Sequence, residues 1–147
     1  MAKSTFGDDF DNFTIDFIDG CEEAVRATAI QTWAAIIKSS PVDEGRFRAN
    51  WFATGKTPSV KVTNKTDYSG SGAISNATQS VLTIKDWSEF NLTNNLPYAP
   101  VIEYGLYGDG PETISGYSKQ APRGVVGINI ANSKRNLEAE FKKRAPK

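Results

Sequence analysis

Histidine is absent from the 147 residues, and cysteine and methionine occur once each. Without an imidazole there is no serine–histidine–aspartate triad, no cysteine–histidine pair and no histidine metal site. The lone thiol, Cys21, excludes an intramolecular disulfide and fits a chain made and folded in a reducing compartment. No apolar run approaches the roughly 20 residues that cross a bilayer, and the opening "MAKSTFGDDFDNF" lacks a signal-peptide core, so no membrane partner is expected. Charge of one sign is also missing: 17 basic residues balance 17 acidic ones, without the broad positive field of a nucleic-acid binder. There is no internal repeat, low-complexity segment or interdomain linker. A single domain over 1–147 is the simplest organisation, and a chain of this size buries about 68–70% of its unfolded surface without a metal or disulfide.

The balanced charge is unevenly placed. Residues 1–23 hold seven acids (Asp8, Asp9, Asp11, Asp16, Asp19, Glu22 and Glu23) against Lys3. Residues 134–147 hold six bases (Lys134, Arg135, Lys142, Lys143, Arg144 and Lys147) against Glu138 and Glu140. Ends of opposite sign suit head-to-tail contact between copies, or equally two solvated termini, with 1–10 and 143–147 as flexible ends.

Ile18, Cys21, Val25, Ala29, Trp33 and Ile36 recur every three or four residues and predict one apolar face of a long helix over about 11–38, with Cys21 buried on it. Gly20 inside this pattern signals a bend or a close contact. Pro41 ends the helix, and Asp43 is the expected N-cap of a second helix over about 44–53, closed by Gly55. "SVKVT" (59–63) and "EFNLT" (89–93) alternate as strands. Ala73, Ala77, Val81 and Ile84 keep helical spacing, although β-branched "VLTI" also suits a strand. "YAPVIEYG" (98–105) reads as a short helical turn, 105–122 as a long loop rich in Gly and Pro, and Val126, Ile130, Leu137 and Phe141 as one face of a closing helix. The expected fold class is α+β: a long N-terminal helix and shorter helices packed on a small, mostly antiparallel β-sheet.

Positive signals for chemistry are scarce. "ATGKTP" (53–58) imitates part of a phosphate-binding P-loop, but the required first glycine falls on Asn50, and no buried strand precedes it. Asp43 and Glu44 are adjacent acids explained by a helix start. Glu103, between Tyr98 and a flexible loop, is a better acid–base candidate but lacks a partner. "DDFD" lacks the glycine and glutamate spacing of a calcium loop. No catalytic, cofactor-binding or metal residue, and no cofactor, is expected.

Three blocks remain: "PVDEGRFRANW" (41–51), "TNNLPYAPVIEYG" (93–105) and "GYSKQAPRGVV" (116–126). In this order they resemble the tail-completion (neck, or minor tail) proteins of long-tailed bacteriophages, over roughly residues 10–142. The matching positions are Pro41, Val42, Asp43, Gly45, Arg46 and Trp51; Asn94, Pro97, Tyr98, Ala99, Glu103 and Gly105; and Ser118, Gln120, Ala121, Pro122 and Gly124. Glu44 stands where threonine is commoner and Arg123 where a small residue is usual. The resemblance implies a structural virion protein assembled in the host bacterial cytoplasm. It would complete the head-proximal end of the tail and help join tail to head, as a ring of copies matching sixfold symmetry.

The implied partners are further copies, the tail tube or tail-terminator protein and the head–tail connector proteins. The alternative is a head-side connector, adaptor or minor capsid protein with non-specific DNA contact in the channel. Arg46, Arg48, Tyr98, Glu103, Tyr104, Ser118, Gln120 and Arg123 are the expected interface residues. Asp43, Gly45, Phe47, Trp51, Pro97, Gly105 and Pro122 have expected structural roles. Phe47 and Trp51, four apart, should anchor their helix to the core, while Arg46 and Arg48 should face a carboxylate, either Glu103 or the acidic first helix, within the monomer or on a neighbouring copy.

Overall fold

Thr5 opens the longest element of the fold. In the computed structural model, which describes residues 5–146, the Thr5 hydroxyl accepts from the Asp8 N–H (3.2 Å) and the Asp8 carboxylate accepts from the Thr5 N–H (3.1 Å). This reciprocal capping box starts helix α1, Phe6–Ser39, several residues earlier than the apolar periodicity predicts. Of the ends expected to be flexible, 6–10 are therefore helical, and 1–4 and 147 lie outside the described residues.

The buried face of α1 is Ala24, Thr28, Thr32, Ile36 and Ile37. That face is rotated from the predicted stripe: Ile18 is exposed, Cys21 only half-buried, and Val25, Ala29 and Trp33 lie at its edge. Two threonines disguise it. The hydroxyls of Thr28 and Thr32 donate to the carbonyls of Ala24 and Thr28, each at 2.8 Å, which leaves their methyl groups to pack. Gly20 makes the close contact its position suggests, since a Cβ there would lie 2.9 Å from the Arg144 carbonyl oxygen.

Beyond Ser40 the second helix, α2, is a single turn, Arg46–Ala49. Asp43 is exposed and is not its cap. The cap residue is Gly45, at φ 88°, where a side chain would strike the Asp67–Tyr68 backbone at 2.6 Å. Residues expected to prolong this helix form β1, Phe52–Thr54, which pairs antiparallel with β2, Asn91–Thr93, in the register Phe52↔Thr93. Between them lies α3, Ser71–Thr83, whose N-terminal Ala73 N–H donates to Asp67 Oδ2 at 2.8 Å. The helical reading of this segment holds, with Ala73, Ala77 and Val81 buried.

The stretch 59–63 does not join a sheet. Its backbone groups are held instead by amide side chains: Asn50 bridges the Thr63 N–H and C=O (2.8 and 3.0 Å), and Asn95 donates to the carbonyls of Ser59 and Lys61. Val60 points to solvent at 90% exposure, so alternation here does not mark a buried face. Helix α4, Ala99–Tyr104, matches its predicted place and ends on Gly105 in the left-handed conformation. The expected loop 105–122 contains a small hairpin, β3 (Thr113–Ile114) with β4 (Tyr117–Ser118). Helix α5, Val126–Arg144, then runs back along α1. The α+β expectation thus holds, with two two-stranded antiparallel sheets. The core gathers around the C-terminal end of α1, where Ile36 and Ile37 meet Phe47, Trp51, Leu96, Ile102 and Val125.

On α5 the buried residue is Glu140, not an apolar one; Ile130 and Leu137 are exposed. Its carboxylate accepts from Gln31 Nε2 on α1 (2.8 Å), from Lys143 (3.0 Å) and from Arg144. The hydrogen bond from Gln31, then those from Lys143 and Arg144, hold its pKa down at about 2, from an ordinary 4.5. A carboxyl depressed in the folded state stabilises fully above its unfolded pKa and loses that contribution as pH falls. Thermal stability should therefore fall as pH drops from about 4.5 to 2. Glu140→Gln should be less stable than wild type above that window and show a flatter pH dependence within it, read as Tm by circular dichroism.

Candidate functional site: the cleft where three sequence blocks meet

An open cleft of about 420 Å³ draws lining residues from all three blocks: Pro41 to Phe47, Tyr98 and Ile102, and Ser118 and Gln120. Its base is buried and apolar, with Phe47 and Ile102 nearly inaccessible and the Phe47 and Tyr98 rings 5.9 Å apart. Asp43, Glu44, Arg46 and Glu112 stand exposed around it. Tyr107, Glu112 and Thr113 complete the wall from the segment read as a featureless loop. Only that segment's glycines and proline hinted at a shaped structure, and nothing local singled out these three residues.

Gln120 joins the first block to the third. Its Oε1 accepts from the Val42 N–H (2.8 Å) and its Nε2 donates to the Val42 carbonyl (2.9 Å), so one side chain pairs with a backbone as a β-strand would. The Ser118 hydroxyl accepts from the Gln120 N–H at 3.2 Å. Burial, and secondarily Tyr98, push the Tyr107 phenol above its ordinary pKa.

Glu103 lies outside the cleft wall and has a different task. One oxygen accepts from the Val125 and Val126 N–H groups (both 2.8 Å) and the other from Gly127 (2.9 Å). These are first-turn donors of α5, which have no partner within their own helix, and the helix dipole favours a carboxylate there. Gly124, at φ 73°, permits this approach, because a Cβ would sit 2.6 Å from the Glu103 carbonyl oxygen. Glu103 is thus engaged as a helix cap and has no arginine partner.

Within the monomer the two arginines part from expectation, since among the described residues neither meets a carboxylate. Arg48 donates to three carbonyls, those of Ser40 (3.1 Å), Tyr68 (2.8 Å) and Lys38 (2.8 Å), at the C-terminal end of α1. The guanidinium has five donors and suits such a cluster of acceptors as well as it suits an acid. Arg46 reaches only Asn64 Oδ1 (3.0 Å) and stays exposed on the cleft rim. Phe47 and Trp51 do anchor the segment: their rings meet edge-on at 5.6 Å and the Trp51 indole donates to Ser40 Oγ (2.9 Å). Gly105 abuts the Tyr117 ring, Pro122 bridges to Gly124, and Pro97, Tyr104 and Arg123 are exposed. Lys56 of the P-loop-like stretch pairs with Asp86 at 2.7 Å.

No group of three possible metal ligands occurs among the described residues, and none of their helices is long and apolar enough to cross a membrane. The arrangement offers an apolar socket with a charged rim, in which the interior polar groups already hold the backbone.

Substitutions should separate rim from scaffold. Arg46→Ala should change unfolding free energy by no more than about 0.5 kcal/mol, whereas Arg48→Ala should lose about 1–3 kcal/mol by stranding carbonyls. Glu103→Ala should lose a similar 1–3 kcal/mol, because three amide donors lose their acceptor. Urea denaturation of the three variants measures all of this. No protein-family model, curated protein or solved structure matches the chain.

Proposed function

We propose that this chain is a structural protein of the neck of a long-tailed bacteriophage, completing the head-proximal end of the tail and helping to join it to the head. In this reading it works as a ring of copies, in contact with the tail tube or terminator on one side and connector proteins on the other. The observation that carries it is the convergence of the three resemblance-bearing blocks on one cleft. Separate stretches of chain are brought together there by Gln120 and Tyr98, and the polar side chains inside that framework cap and clamp backbone. A socket of apolar base and charged rim suits a neighbouring protein segment. Its work would then be stoichiometric and geometric.

The second reading, a head-side connector or minor capsid protein touching DNA in the channel, draws on the outer face of α5. Lys134, Arg135 and Lys142 are exposed there and form no ion pair among the described residues. Phosphate contacts of that kind weaken steeply with salt.

Phage lacking the chain should fill heads and build tail tubes that fail to join, as seen by electron microscopy. Infectious, fully joined particles from the deletion overturn the reading. Arg46→Ala should fold normally yet complete particles poorly; normal completion would remove the cleft rim from the contact.

A further inference from the structure

The first turns of α1 project beyond the rest of the molecule. Helix α5 covers one face of α1 as far as Phe141, whose ring meets Phe17 edge-on at 5.8 Å, and Arg144, which lies over Gly20. There α5 ends, but the face does not. Phe13, Phe10 and Phe6 continue it at spacings of three and four, and they are 53%, 60% and 86% exposed. Ile15 and Ile18 are exposed too, but helical spacing sets them on other sides of α1. Three bare phenylalanines in one stripe beyond Phe17 exceed the scattered exposure ordinary on a surface, and a contiguous patch of this kind marks an interaction site. Residues 6–20 carry five acids and no base.

A second unfilled surface lies on the same molecule. Val25, Ala29, Trp33, Trp87, Phe90 and Leu137 line an apolar groove of about 200 Å³ between α1, α5 and the segment after α3. On its α5 wall, Lys134 falls on the same helical face as Ile130 and Leu137, while Arg135 lies a step further round, away from the groove. Both bases are exposed and lack an ion pair among the described residues.

We propose that the aromatic arm of one copy, residues 6–18, docks in the Trp33–Leu137 groove of the next copy. Because α1 is one continuous helix from Phe6 to Ser39, the arm points away from its own groove. Charge selects the pairing. Two arms laid together would oppose acid to acid, whereas Lys134, beside the groove, offers a base to Asp11 or Asp16. Unlike patches on one molecule make a heterologous contact, which closes into a ring when the rotation permits. The inference deepens the ring reading above, and the contact is testable with the purified chain alone.

Sedimentation velocity of the full chain should show self-association that Phe10→Asp with Phe13→Asp weakens at least about tenfold, since burying one such ring is worth that factor or more. Circular dichroism and Tm should stay as wild type, because the arm lies outside the core. Lys134→Glu should weaken association too, and mixing or combining it with Asp11→Lys and Asp16→Lys should restore it. In a Cys21→Ser background, Phe10→Cys and Leu137→Cys chains should form a mixed disulfide when oxidised together. Four results overturn the proposal: a chain monomeric at its highest soluble concentration; association indifferent to the arm substitutions; Phe10→Cys chains linking chiefly to each other; or Lys134→Glu abolishing DNA retention while association persists. A deletion phage that remains infectious would overturn the neck function and leave these measurements standing.

Discussion

A long helix must be stopped, and its last carbonyls must find donors outside it. Most of this fold depends on how that is done at the end of α1. The Ser40 N–H and hydroxyl close on the Ile36 carbonyl, and Arg48 reaches back to the carbonyls of Lys38 and Ser40 while also holding Tyr68. Trp51 donates to the Ser40 hydroxyl from beneath. One turn of helix thereby fixes the entry to the first sequence block, buries Phe47 and Trp51, and brings residues before α3 alongside. Ile36 and Ile37, immediately upstream, are the centre against which the core assembles.

The start of α5 depends on a matching arrangement of opposite sign. Glu103 satisfies the amide donors that open α5, as Asp67 does for α3. Cation against carbonyls and carboxylates against N–H groups follow the same dipole logic. They explain why Arg48 and Glu103 are occupied internally, and why the exposed rim, with Arg46 and Glu44, is what remains for contact.

Side-chain amides do much of the remaining backbone work. Asn50, Asn95 and Gln120 each pair with peptide groups of a distant segment, and Asn94 donates to the Phe47 carbonyl at 2.9 Å. An amide carries both a donor and an acceptor, so it can replace a neighbouring strand one residue at a time. The small sheets are thus supplemented by point attachments, and connecting segments such as 59–63 and 41–45 are positioned without belonging to any regular element. The same economy leaves the aromatic arm and the α5 groove among the apolar surfaces that no other described residue covers.

Sequence alone determined the helices whose signals are local: the spacing of Ala73, Ala77 and Val81, the stop at Pro41, the turn at Gly105 and the run from Val126. It also determined which chemistry is impossible, since no fold supplies an imidazole that the chain does not encode. Tertiary structure decided which face of α1 is buried, because Thr28 and Thr32 hide their hydroxyls in their own helix and then pack as apolar groups. It decided the partners of Arg48 and Glu103, which are main-chain atoms brought near by packing and carry no residue signature. It decided that 59–63 is tied by amides rather than by a strand. Periodicity reports the nearest turns of a helix, whereas a hydrogen bond between residues 22 or 78 positions apart exists only once the core has set the distance.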